Sequence, residues 1–159
     1  MECYRGFAEA FETRTIEKMP RLHAVQPEGC ATVAGPLTQG RRRAEPVTCT
    51  SQISGLQVAS VLDAQEVMDR IIQTEGGGQM VSDASVLCWQ RRMIREEGIY
   101  TEPAGATALA GLAAAVEKGL VQPDERVVCL VTGNGFKDLK SIEGIVGNTL
   151  IPLIEGDEI

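Results

Sequence analysis

One stretch, Gly98 to Asp138, constrains the fold more than any other part of this 159-residue chain: GIYTEPAGATALAGLAAAVEKGLVQPDERVVCLVTGNGFKD. Pro103 biases Glu102 away from helical geometry and itself suits the first position of a helix. Ala106, Leu109, Ala110, Ala113 and Val116 then recur at helical spacing, a narrow stripe of small residues that fits close packing against a sheet. Ala110, Gly111 and Ala113 are the expected points of close approach. Gly119 ends the helix and Pro123-Asp124 turns the chain. The apolar run Val127 to Val131 predicts a short strand buried on both faces, with Thr132-Gly133-Asn134-Gly135 directly at its carboxyl end.

Ligands of parallel α/β sheets bind at the carboxyl ends of the strands. A hydroxyl followed by Gly-x-Gly suits that place, because the glycines admit a flat ligand to the backbone and Thr132 offers one neutral donor or acceptor. The same glycines would also serve a tight turn with no ligand, and a lone Gly-x-Gly does not decide between the two.

The length is enough for one domain with a sizeable core. A formal charge of −7 argues against nucleic acid or an anionic membrane surface as the main partner. Arg41 to Arg43 run against that balance and read as a solvated loop. Cys3, Cys30, Cys49, Cys88 and Cys129 are odd in number, widely spread and free of any C-x-x-C pair. That pattern speaks against a zinc ribbon or a disulfide framework and suits a reducing cytoplasm, with Cys88 and Cys129 as small buried hydrophobes. No apolar run reaches membrane-spanning length, and no basic segment followed by a hydrophobic one opens the chain.

Tyr4, Phe7, Ala8 and Phe11 lie on one face of a helix expected to end near Thr13; a chain opening inside such a helix looks truncated. Arg21 to Gln26 predicts a strand, Gly29 to Leu37 a helix, and Thr38 to Pro46 an exposed loop. Ser51 and Ser54 read as turn and capping residues, since no acid or base is expected beside them. Asp63 and Glu66 form an acidic capping box for a helix whose buried face is Val67, Met68, Ile71 and Ile72. Gly76-Gly77-Gly78 stops that helix as a hinge or C-cap; it follows a helix, so it lacks the N-terminus that a phosphate loop needs. Met80 to Ser82 is a short extended piece, and Ser82 or Asp83 caps a helix carrying Val86, Leu87, Gln90, Met93 and Ile94. Its arginines and Glu96-Glu97 make a salt-bridged surface. The tail, with Ile142, Ile145, Val146, Leu150, Ile151, Leu153 and Ile154, is apolar enough to pack.

E-P-A-G-A, the alanine-rich helix, V-V-C-L-V and T-G-N-G-F-K-D, in this order and spacing, resemble the C-terminal region of fold type II pyridoxal-phosphate enzymes. The resemblance is strongest to threonine synthases and threonine-synthase-like proteins, which commonly carry E-P-A-[SG]-A and T-G-x-G-[LF]-K-D. M-P-R-L-H-A-V-Q-P-E-G resembles the family's proline-arginine strand, which leaves His23 a structural role. The resemblance implies a three-layer α/β fold, a largely parallel sheet flanked by helices, with residues 1–159 forming a single partial domain, the C-terminal part of the large domain. It implies pyridoxal 5'-phosphate as cofactor, a small-molecule amino-acid substrate, a cytoplasmic lyase of threonine biosynthesis, and a possible homodimer.

For the site, the resemblance sets Thr132 and Gly133 at the pyridine nitrogen and Glu102, Ala104 and Gly105 in the loop beside the cofactor ring. Glu102 is open between a polar wall of the site and a carboxylate at the positive end of the following helix. The family's Schiff-base lysine and glycine-rich phosphate loop lie upstream of the matching region and have no counterpart here, so no catalytic residue is assigned and the missing N-terminal half becomes an expected partner. Lys137 belongs to the recurring K-D and Lys140 follows it; neither takes the lysine's place. Asn134 stands where many threonine synthases have histidine, and Phe136 where they have leucine. Gly105 also resembles amino-acid dehydratases of this fold type. A related dehydratase or a non-catalytic ligand-binding remnant is therefore the alternative function.

Overall fold

The computed structural model describes residues 2–138 together with Gly144 and Gly147. The apolar tail from Ile142 and Lys140 lie outside the described residues. The elements in chain order are α1 (Glu2–Glu12), β1 (His23–Pro27), α2 (Ala34–Thr38), α3 (Ala64–Gln73), β2 (Gly77–Val81), α4 (Asp83–Glu97) and α5 (Pro103–Glu117), with 3-10 turns at Glu28–Cys30 and Gly135–Lys137.

β1 and β2 pair in parallel, with His23 opposite Gly77, Val25 opposite Gln79 and Pro27 opposite Val81. Side chains alternate between the two faces of a strand, so this register sorts the molecule into layers. Val25 and Val81 face α5 and α4, where Ile53, Val86, Met93, Ala106 and Ala110 complete a core. Leu22 and Ala24 face the other way, against Val33, Met68, Ile71 and Leu37 of the α2 and α3 layer. The result is the expected α/β arrangement, a small parallel sheet between two helical layers.

Glycine and alanine set how closely these layers meet. A β-carbon on Gly111 would lie 2.5 Å from both γ-methyls of Val25, so α5 rests directly on β1. On the opposite face a β-carbon on Gly78 would lie 2.7 Å from the Ala34 carbonyl oxygen, so α2 rests on β2. Two of the three glycines read as a helix stop are thus strand residues, and Gly78 is required by an approaching helix backbone that periodicity cannot reveal. α3 instead ends on Thr74 and on Glu75 at φ 55°, where Glu75 N donates to Ile72 O and Gly76 N to Ile71 O. This pair of bonds satisfies the last-turn carbonyls, and Glu75 holds the left-handed position that glycine usually takes.

The single helix expected from Gly29 to Leu37 is divided into a 3-10 turn and α2. The reason lies in Gln26, on the α2 face of β1: its Oε1 accepts from Val33 N at 2.9 Å and Ala34 N at 2.8 Å, and its Nε2 donates to Thr32 Oγ1. Those bonds start α2 afresh after Cys30. Asp63 precedes α3 as expected but makes no side-chain capping bond. Ser82 caps α4 by accepting from Ser85 N, and Gly98 ends it at φ 67°. Arg92 pairs with Glu96 through two 2.9 Å bonds and covers the Trp89 ring, as the salt-bridged surface reading anticipated. On α5 the buried residues are Pro103, Gly105, Ala106, Thr107, Ala110, Gly111 and Ala115, while Val116 is exposed. The packing face is therefore rotated from the expected stripe.

Two further expectations are overturned. Val127 to Val131 is not a strand among the described residues: Val128 is 82% and Leu130 58% exposed. Its inner attachment is to α5, where Cys129 Sγ lies 3.8 Å from Ala108 O, and burial raises the Cys129 pKa. A strand exists only where a neighbouring backbone completes its ladder, and among the described residues no backbone pairs with this run. The cysteines also depart from the expected pattern, because Cys30 and Cys49 form a disulfide and Cys88, expected to be buried, is exposed.

Candidate functional site

The loop before α5 and the Thr132–Gly135 turn bear the chemistry anticipated from sequence. Four of the five candidate residues meet there. Pro103 starts α5, so Thr101 and Glu102 approach in extended geometry, with Glu102 at φ −67° and ψ 161°. From this position the buried Thr101 hydroxyl reaches Thr132 O at 2.9 Å and Gly133 O at 3.0 Å. One hydroxyl thereby fastens the end of the apolar run to the helix entrance.

Gly105 is required by the same crossing. A β-carbon there would lie 2.0 Å from Thr101 Oγ1 and 2.1 Å from Thr132 O. Gly133 adopts φ 70°, a left-handed conformation, and a β-carbon on it would lie 1.9 Å from Glu102 Oε1. The Glu102 side chain thus lies over Gly133. It makes no side-chain capping bond to α5, although it stands at the N-cap of that helix. Ala104 stands slightly apart, half-buried, with its methyl 3.8 Å from where a β-carbon on Gly55 would be. Thr132 is exposed at the head of the turn.

Three further residues complete the arrangement. Tyr100 O accepts from Gly135 N at 3.2 Å, and the Tyr100 ring fills the space beside Gly135 and meets Phe136 edge-on at 4.8 Å. Burial, and secondarily the charge of Asp138, raise the Tyr100 pKa. Asn134 Oδ1 accepts from Phe136 N, an Asx-type closure of the turn. Gln90, buried in α4, donates to Thr101 O at 2.9 Å. Thr101 and Gln90 carried no functional signal in the sequence, since a threonine before E-P and a glutamine on a helix face are common surface residues. Their value comes from contacts 31 and 11 residues away along the chain.

The loop at Ser51 corrects another expectation. An acid does stand beside it: Ser51 Oγ donates to Asp83 Oδ1 at 2.8 Å, and Gln52 N donates to Asp83 Oδ2 at 2.6 Å. Ser51 Oγ in turn accepts from Ile53 N. With both partners committed to loop closure, the pair reads as a clasp that seats this loop on the first turn of α4.

The residues at the turn fit one side of a flat aromatic cofactor. Thr132 offers a neutral hydroxyl at an open face, and Gly133 presents backbone without a side chain beside the Glu102 carboxylate. They supply no phosphate cradle.

A family model described as pyridoxal-phosphate dependent enzyme matches residues 3–133. Threonine synthase from Methanocaldococcus jannaschii is 29% identical over 136 residues, covering 85% of this chain and 34% of that protein. Threonine synthase from Mycobacterium bovis is 35% identical over 135 residues, covering 85% and 36%. The chain thus spans about a third of the length of these curated relatives. Among solved structures, the processed form of threonine deaminase isoform 2 from Solanum lycopersicum is similar with a TM-score of 0.64 at 19% identity, covering 89% of this chain and 39% of that one. Maize serine racemase gives 0.52 at 20% identity, covering 69% and 33%. These structural likenesses are of fold.

Proposed function

The chain belongs to the pyridoxal-phosphate-dependent enzyme family, fold type II, and on that premise we propose that it supplies one wall of a threonine-synthase-like lyase site. The reaction is conversion of O-phospho-L-homoserine to L-threonine by loss of phosphate and addition of water. The observation that carries this reading is the crossing of Thr101, Glu102 and Gly105 with Thr132 and Gly133, which holds an exposed hydroxyl and a bare backbone side by side.

When bound, pyridoxal phosphate supplies an electron sink that weakens bonds at the α- and β-carbons of an amino acid. By the family resemblance, Thr132 would be the residue at the pyridine nitrogen. Its hydroxyl is neutral and does not hold that nitrogen protonated as a carboxylate would, which tempers the sink and suits elimination and replacement over transamination. Gly133 lets the ring approach the backbone. Glu102, with Ala104 and Gly105 behind it, forms the polar wall beside the ring.

Of the described lysines, Lys18 is exposed between α1 and β1, Lys118 is engaged with Gln79 at the far end of α5 and Lys137 lies in the 3-10 turn; none of them matches the family's cofactor lysine. We therefore assign the lysine and the phosphate loop to a further segment, with residues 1–159 as one partial domain that needs it as partner. The run Val127 to Val131, unpaired among the described residues and exposed apart from Cys129, is the surface that segment covers, by adding a strand beside it.

A related dehydratase is the second reading, favoured by Gly105 and by Asn134 at the position where many threonine synthases carry histidine. Expressed with a lysine-bearing segment of a threonine synthase, the chain is expected to restore growth of a threonine auxotroph; alone, it is expected not to. Growth supported by the chain alone would refute the division of the site. An assembled protein that fails to restore growth but releases 2-oxobutanoate and ammonia from threonine would favour the dehydratase.

A further inference from the structure

We propose that Cys30 and Cys49 are a thiol–disulfide exchange site for a low-molecular-weight disulfide of the glutathione class, and that its oxidised form fastens the 48–55 segment to the carboxyl end of β1. The two cysteines are 19 residues apart in sequence, with their α-carbons 4.8 Å apart and their sulfurs bonded. What brings them together is a backbone crossing. Thr50 N donates to Gly29 O at 2.8 Å, and a β-carbon on Gly29 would lie 2.5 Å from Ser51 N and 2.7 Å from Thr50 Oγ1, so the segment lies directly on the Gly29 backbone. The other cysteines have no such neighbour: Cys3 and Cys88 are exposed, Cys129 is half-buried, and all three are free.

The bond sits at the head of a series of contacts that leads to the candidate site. Beyond Cys49, Asp83 clasps Ser51 and Gln52, Ile53 is buried in the core, and Gly55 meets Ala104 beside Glu102 and Gly105. Between α2 and α3 the chain has no regular element of its own, so a covalent tie here limits how far that loop can open.

Exposure sets the order of exchange. Cys30 is fully buried and Cys49 half-buried, so an external disulfide meets Cys49 first. The Cys49 thiolate attacks one sulfur of glutathione disulfide, forming a mixed disulfide and releasing one glutathione thiolate. The Cys30 thiolate then attacks the Cys49 sulfur, closing the protein bond and releasing the second. Two electrons pass from the cysteine pair to the glutathione disulfide, and the two cysteine protons leave with two reduced glutathiones. Reduction follows the same path backwards, beginning again at Cys49.

The test uses the wild-type chain equilibrated across a series of reduced and oxidised glutathione, acid-quenched, then alkylated in denaturant and mapped by mass spectrometry. At the reducing end all five cysteines should be alkylated. At the oxidising end a cross-linked Cys30–Cys49 peptide should appear while Cys129 remains alkylated. Hydrogen exchange of the Thr50 amide should be about ten-fold slower in the oxidised form, with β1 and β2 amides unchanged. The folded Cys30→Ser variant should retain glutathione on Cys49, and the Cys49→Ser variant should carry none on Cys30. Absence of the cross-linked peptide at the oxidising end, or equal Thr50 exchange in both forms, overturns the proposal. Should either variant fail to fold, the wild-type series decides alone. None of these readouts involves pyridoxal phosphate, so the outcome is independent of the proposed enzyme function.

Discussion

Gly111→Ala isolates the contact on which the upper layer depends. In an open helix the change would stabilise by about 1 kcal/mol, because alanine has the better helix propensity. Here the new methyl would sit 2.5 Å from both γ-methyls of Val25 and 3.0 Å from its β-carbon. Carbon atoms pack best at about 3.5 to 4.0 Å, so both methyls must move by about 1 Å, and a β-branched side chain has few rotamers into which it can turn. We place the overpacking cost near the top of the usual range of about 1 to 3 kcal/mol, which leaves a net destabilisation of about 2 kcal/mol. Urea denaturation followed by circular dichroism reads this as a lower midpoint at unchanged slope. In a Val25→Ala background the γ-methyls are gone, and Gly111→Ala should become neutral or stabilising. That reversal of sign is the signature of a contact between these two positions. If Gly111→Ala raises the midpoint in the wild-type background, α5 does not rest on β1 and the layer order built on that contact is wrong.

Glu75→Gly should stabilise by about 0.5 to 1 kcal/mol in the same assay, because Glu75 holds a left-handed conformation at the end of α3 with its side chain exposed. Gln26→Leu should destabilise by about 2 to 3 kcal/mol by leaving the Val33 and Ala34 amides without their acceptor, and the loss should appear first as faster exchange of those amides. His23 is the only histidine; burial and then Arg21 lower its pKa from 6.5, partly opposed by Glu125. A lowered folded-state value means that the unfolded chain binds the proton more readily, so this contribution is fully present above pH 6.5 and declines as pH falls through the lowered value. His23→Gln should flatten stability across that window, and an unchanged pH profile would remove His23 as its source.

Segments whose signals are local were legible in the sequence. β1 and α4 follow from apolar patterning with Ser82 and Gly98 as caps, and α5 follows from Pro103 and its small residues. What escaped depends on distant partners. Gly78 reads as punctuation until Ala34 is brought over it, and Val127 to Val131 reads as a buried strand until its pairing neighbour is sought. The rotation of α5 was missed because a stripe of alanines has little contrast between its faces. In the site, Thr132, Gly133, Glu102 and Gly105 could be anticipated from the motifs. The Thr101 hydroxyl, which binds two carbonyls more than thirty residues away, could not.

The central claim is that Thr132 presents a neutral hydroxyl to the pyridine nitrogen of the cofactor. It is tested most directly by the nitrogen-15 chemical shift of labelled pyridoxal phosphate bound to the chain joined with its lysine-bearing segment. The account predicts an unprotonated pyridine nitrogen in the wild type, a small change in Thr132→Val that reflects loss of one hydrogen bond, and a protonated nitrogen in Thr132→Asp. A protonated nitrogen in the wild type, or a shift indifferent to all three residues at position 132, would contradict it.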